Sequence, residues 1–148
     1  MDQLKPRAFI SYAHEDQESA LRLHRDLTRL GIDAWIDAER LLPGQNWKVA
    51  IDDAIRKTDF FIALLSDQSV SKRGYVQKEL RTALDVLSLV PASEIFIIPL
   101  RLSECEVLEE KLKALHYVDL FPSWSEGLDK ARRAIGFRSH RKAHSDNR

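Results

Sequence analysis

The chain has 148 residues, 44% of them apolar and 31% charged, with 23 Lys+Arg balancing 23 Asp+Glu. This describes one globular domain able to bury a core, and zero net charge removes the general attraction that drives nucleic-acid or anionic-membrane binding, so neither partner is expected. No apolar run approaches the roughly 20 residues that span a bilayer, and the first five residues lack the apolar core of a secretion signal, so a cytoplasmic location is expected.

In chain order, Ala8-Phe9-Ile10 reads as a first buried strand. Ala20, Leu23, Leu27 and Leu30 then form a helical stripe with Gly31 as its stop signal. Ala34-Trp35-Ile36 is a short strand, and a loop from Asp37 to Asn46 turns at Pro43-Gly44. Trp47, Ile51, Ala54 and Ile55 make a second stripe. Residues 60–65 are continuously apolar, which implies a strand covered on both faces, as in a parallel sheet. Val76, Leu80, Ala83, Leu84 and Leu87 predict a third helix ending before Pro91.

Residues 95–100 predict a further buried strand, with Pro99 placing it near its end there or towards a sheet edge. Cys105, the single cysteine, sits in Ser103-Glu104-Cys105-Glu106. It has no partner for an internal disulfide, fits a reducing compartment, and has carboxylate neighbours expected to raise its pKa. Residues 117–120 form a short strand and residues 126–135 a last helix. Residues 137–148 carry Arg138, Arg141, Lys142 and Arg148 against Asp146 and read as a disordered basic tail or linker.

Alternating strands and helices with short connections predict an α/β fold: right-handed crossovers onto a central parallel sheet, in a doubly wound, flavodoxin-like three-layer sandwich. Ligands of such sheets sit at the carboxyl ends of the strands, where Ser11, Tyr12, Asp37 and Ser66 fall. Ser11 and Tyr12 equally read as strand termini, and Asp37 as a turn former.

The usual chemistries fail on motif. Gly31, Gly44, Gly74, Gly127 and Gly136 are too scattered for a dinucleotide fingerprint or a phosphate loop. A phosphoryl-receiving domain needs an acidic pair after the first strand, where Ser11-Tyr12 stands, and acidic partners for Asp67, which it is expected to lack. His140 and His144 share a helical spacing without a third ligand, so no metal is expected. His14, His24 and His116 are isolated, and no serine shows a triad order.

Taken together, Phe9-Ile10-Ser11-Tyr12, Ala34-Trp35-Ile36-Asp37, Leu41-Leu42-Pro43-Gly44, Ile62-Ala63-Leu64-Leu65-Ser66 and Tyr75-Val76-Gln77-Lys78-Glu79-Leu80 resemble a TIR (Toll/interleukin-1 receptor and resistance protein) domain, especially of the bacterial branch. The likeness runs from Arg7 to about Ile135, dividing the chain into a TIR domain over residues 1–136 and a polar basic tail or linker over residues 137–148.

The resemblance implies a five-stranded parallel sheet and one of two roles. One is an NAD glycohydrolase that releases nicotinamide and leaves ADP-ribose or a cyclic isomer. The other is a non-catalytic module assembling with other TIR domains. Enzymatic members carry a glutamate at the start of the helix after the third strand with an aromatic four residues earlier, positions held here by Glu79 and Tyr75. NAD is then substrate, with no cofactor and no metal, Glu79 is the catalytic carboxylate, and Tyr75, Ser11, Tyr12, Asp37 and Ser66 are the substrate contacts. Tyr75 replaces the family's commoner tryptophan, keeping a stacking ring of smaller area.

The resemblance also makes Arg40, Leu41, Leu42, Pro43 and Gly44 a self-association loop. It implies a homo-oligomer, partnership with other TIR domains or a sensor domain, and a setting in defence or virulence signalling, in the cytoplasm or, for a secreted effector, the host cytosol. From the residues alone, Glu79 lies roughly 90° from the middle of the core stripe, on its boundary. Without the resemblance it reads first as a surface glutamate at a helix start, paired with Lys78 or Arg81. Trp35 and Trp47 are assigned to packing.

Overall fold

The computed structural model describes residues 5–36, 43–67, 77–91, 93–107 and 110–146, with Trp47, residues 77–80 and residues 137–146 described by their backbone. Five parallel strands lie in the order β2-β1-β3-β4-β5. They are β1 (Arg7–Ser11), β2 (Asp33–Ile36), β3 (Phe60–Leu65), β4 (Ile97–Arg101) and β5 (Val118–Asp119). The helices are α1 (Gln17–Arg29), α2 (Trp47–Lys57), α3 (Gln77–Leu87), α4 (Glu110–Lys113) and α5 (Trp124–Asp146), with a 3-10 turn at His14–Asp16 before α1. The chain leaves β1 for β2 and returns past it to β3, so the strand order reverses between β1 and β3.

Alternation along each strand divides the core between two faces. Ala8, Ile10, Phe60, Ile62 and Leu64 pack with Ala20, Leu23 and Leu27 of α1 and Ala131 and Ile135 of α5. Phe9, Phe61 and Ala63 pack on the opposite face with Ile51 and Ile55 of α2 and Ala83 of α3. There the Phe9 ring lies between Trp35, 4.9 Å away, and Phe61, 5.6 Å away, which confirms the packing role read for Trp35. Cover on both faces explains the continuous apolar runs of β3 and β4.

Local chemistry sets the ends of the helices. Gly31 adopts φ +84°, which a side chain would strain, and Ile32 N–H returns to the Leu27 carbonyl at 3.0 Å to close α1. Leu30, expected on the buried stripe, is 44% exposed because α1 ends at Arg29 and the chain turns away there. Gly44, after Pro43, also has φ +84°, as a Pro-Gly turn demands. Asn46 then caps α2, its side-chain oxygen accepting from Lys48 N–H at 3.1 Å and Val49 N–H at 3.3 Å.

Two expectations need correction. Pro99 lies inside β4, paired with Ala63, and β4 is flanked by β3 and β5. Leu102 N–H bonds to β3 whereas the Arg101 carbonyl accepts from Leu120 beside β5, so by alternation Pro99 faces the β5 side. Since β5 begins only at Val118, opposite Leu100, no ladder donor is lost. The last helix, expected over residues 126–135, runs from Trp124 to Asp146. The segment read as a disordered tail is helical backbone to that point, because residues 137–146 contain no Gly or Pro and several good helix formers.

Candidate functional site

Crossover topology puts the helix starts and the strand carboxyl ends along one edge, and the reversal between β1 and β3 opens that edge to a ligand. Ser11 ends β1, 5% exposed and level with Ala63 of β3. Since Phe9 belongs to the α2/α3 core, alternation assigns Ser11 to the same face. Tyr12 is half-buried and packs against the α1/α5 core instead. Ser66 follows β3, 4% exposed, and donates its hydroxyl to Asp16 Oδ2 at 2.7 Å. The expected contacts are thus divided between the two sides of the sheet edge.

Glu79 is the third residue of α3, the helix after β3 that packs on the α2 side. Tyr75, Asp37, Arg40, Leu41 and Leu42 lie outside the described residues. Pro43 and Gly44 are exposed and lead directly into α2.

The edge holds polar groups that the sequence did not single out. Burial pushes the Asp16 carboxyl above the ordinary aspartate value against the lowering effect of the Ser66 hydrogen bond, and Glu15 and Asp67 push it the same way. Asp67, expected to lack acidic partners, lies near enough to act on the Asp16 carboxyl, because the fold returns β3 beside the turn that follows β1. Asp67 N–H donates to Ser103 Oγ at 3.0 Å, and that hydroxyl donates to Asp67 Oδ1 at 3.2 Å. Both contacts join residues distant in sequence, so no local pattern announced them.

Beyond Ser103, Arg101 forms a bidentate pair with Asp119 at 2.6 and 2.9 Å, and donates to the Cys105 carbonyl at 2.9 Å. Its guanidinium lies 4.3 Å from the centre of the Tyr117 ring. These hydrogen bonds hold Asp119 below the usual carboxylate range and raise Arg101. Cys105 is raised as expected, but burial is the leading cause and the carboxylates Asp67, Asp119 and Glu104 contribute less. Among the described residues no cluster of His, Cys, Asp and Glu could hold a metal ion, and no helix is long and apolar enough to cross a membrane.

Residues 8–132 match the profile of the family described as TIR domain, and the chain belongs to that family. It is 35% identical over 78 residues to the NAD(+) hydrolase TcpC of Escherichia coli O6:H1 strain CFT073, a match covering 52% of this chain and 25% of TcpC. Over 118 residues it is 30% identical to the uncharacterized protein y4cD of Sinorhizobium fredii, covering 78% of this chain and 18% of that protein. The chain thus spans a quarter or less of these relatives. Among solved structures, the TIR domain of the Toll-related receptor TRR-2 from Hydra magnipapillata superposes with a TM-score of 0.69 at 25% identity, covering 86% of this chain and 96% of that one. A metazoan TIR-STING receptor from C. gigas, solved with 2',3'-cGAMP, shares the fold with a TM-score of 0.70 at 21% identity, covering 86% and 38%.

Proposed function

We propose that the chain is an NAD glycohydrolase with Glu79 as its catalytic carboxylate, activated by self-association through the loop that includes Pro43 and Gly44. The observation carrying this reading is a glutamate in the first turn of the helix after β3, in a TIR-family chain. The likeness to a protein named as an NAD(+) hydrolase supports it. Among the proposed substrate contacts, Ser11 is assigned by strand alternation to the sheet face on which α3 packs, which supports pairing it with Glu79.

One carboxylate suffices for this chemistry. When the bond between the ribose anomeric carbon and the nicotinamide nitrogen breaks, the electron pair leaves on a neutral pyridine, so no general acid is needed. The ribose becomes an oxocarbenium-like cation, which a fixed carboxylate stabilises through its charge. Water capture gives ADP-ribose and a proton, and capture by an adenine nitrogen gives a cyclic isomer.

The test is nicotinamide release from NAD by the chain at high protein concentration, beside Glu79→Gln and Glu79→Ala, with the oligomeric state recorded. Both variants should lose at least about a hundredfold in rate, the scale of removing one fixed electrostatic stabiliser, while keeping the wild-type melting temperature. A Glu79→Gln variant as active as wild type, or assembled wild-type protein that releases no nicotinamide, refutes the reading. The latter result would leave assembly with other TIR domains as the function.

A further inference from the structure

The helix that carries Glu79 is held against its neighbour by a side-chain pair. Thr82 Oγ1 on α3 donates to Asp52 Oδ1 on α2 at 3.2 Å, and Asp52 Oδ2 accepts from Arg56 Nε at 3.0 Å. Thr82 stands three residues after Glu79, the spacing of neighbours on a helix surface, and Ala83 beside it is fully buried.

Helix α2 is itself anchored at both ends. Asn46 caps its start, and Thr58 at its end donates to the Arg7 carbonyl of β1 at 3.0 Å. The backbone that carries Asp52 is therefore held at both ends of its helix. Threonine has a stiff χ1 and in a helix ordinarily bonds back to its own preceding turn. Here its hydroxyl reaches across to the next helix, adding one directional contact to the apolar packing of Ile51 and Ile55 against Ala83.

Resting on the catalytic reading of Glu79, we propose that Thr82 and Asp52 are a positioning pair that sets the place of the Glu79 turn relative to α2. A displacement of about 1 Å between a reacting group and its substrate is enough to cost substantial rate. The pair thus acts on turnover through α3 without contact with NAD.

Two readouts test this. In steady-state kinetics, Thr82→Val and Asp52→Ala should each lower kcat about threefold to tenfold, the equivalent of one lost hydrogen bond, with KM unchanged. Thr82→Ser and Asp52→Asn, which keep the donor and an oxygen acceptor, should restore most of it. The double variant should be no worse than either single, and Arg56→Ala should leave kcat unchanged.

The second readout, amide hydrogen exchange, needs no activity. Exchange in peptides covering α3 should rise in Thr82→Val and Asp52→Ala and return to the wild-type rate in the rescuing variants, with α1 unchanged. Unaltered exchange in α3 overturns the pair whatever the kinetics. Raised exchange with full kcat, in protein that Glu79→Ala silences, overturns its role in turnover. Failure of Glu79→Ala to reduce release strikes at the function proposed above instead, and the exchange data then decide alone whether the pair holds α3.

Discussion

Helix α5 comes so close to β5 that one added methyl group should lower the stability of the domain measurably. A Cβ placed on Gly127 would fall on the Asp119 carbonyl oxygen, and would sit 2.9 Å from Leu120 Cδ2 and 3.0 Å from the Asp119 carbonyl carbon. Two effects of Gly127→Ala oppose each other. Alanine is the better helix former by about 1 kcal/mol, whereas forcing volume into a packed contact costs about 1–3 kcal/mol, more when the obstacle is backbone. The Asp119 carbonyl cannot rotate aside, because Leu120 N–H is bonded to the Arg101 carbonyl at 2.9 Å and the Asp119 side chain to the Arg101 guanidinium. The clash should therefore win by about 2 kcal/mol, lowering the melting temperature by about 4–8 °C in a domain of this size. Gly136 is the control, since its Cβ would meet nothing within 4 Å. Gly136→Ala should raise the melting temperature by up to about 4 °C through helix propensity alone. Thermal melts of both variants decide the matter: a Gly127→Ala protein at least as stable as wild type would show that α5 does not approach β5 as described.

Other perturbations follow from the same edge. Asp119→Ala strands Arg101, whose side chain is only 10% exposed, and should cost about 2–4 kcal/mol after allowance for the 33% exposure of Asp119; urea denaturation showing less than about 0.5 kcal/mol would refute that. Because Arg101 holds Asp119 below its ordinary 3.8, the stability from this pair is present above about pH 4 and is lost as pH falls through the folded value. The Asp119→Asn variant should accordingly show a flatter acid limb in denaturation against pH. Asp16 has the opposite sign: its raised folded value means that its charge costs stability at neutral pH, a cost relieved on acidification. Asp16→Asn should then be at least as stable as wild type at pH 7, with the advantage vanishing near pH 4. Ser66→Ala removes the hydrogen bond that lowers Asp16 and should raise its carboxyl further, read by carbon-detected NMR titration.

The sheet was legible because burial on both faces writes long apolar runs. Residues 60–65 were read as a strand and are β3 without change, whereas β5, two residues long and half-buried, shows only as part of a weaker signal over residues 117–120. Leu30 and the end of α5 were misplaced because periodicity continues past a helix end, and polar residues with high helix propensity look like tail. At the site, the strand ends were legible and their partners were not. Asp16 to Ser66 and Asp67 to Ser103 are pairings across 50 and 36 residues that follow from topology, not from any spacing. The division of Ser11 from Tyr12 and Ser66 also needed the sheet faces, which a list of strand-terminal residues does not carry.

The polar contacts that join the helices differ between the two faces of the sheet. On one, Trp124 Nε1 donates to Asp26 at 2.8 Å, Arg22 lies 4.1 Å over the Trp124 ring, and Gly127 brings α5 against β5. On the other, the joint between α2 and α3 includes a hydrogen bond to an aspartate whose side chain is 47% exposed. Stability and placement of Glu79 should therefore be separable by substitution. Trp124→Phe removes the donor to Asp26 and part of the ring's buried area, a loss of about 1–2 kcal/mol and about 3–6 °C. It should leave amide exchange in α3 and nicotinamide release per folded molecule unchanged. Thr82→Val should do the reverse, altering exchange in α3 and turnover at nearly constant melting temperature, since a half-exposed hydrogen bond contributes little to global stability. If Trp124→Phe loosened α3 as much as Thr82→Val does, the faces would be unfolding as one unit, and the placement of Glu79 would depend on the whole core.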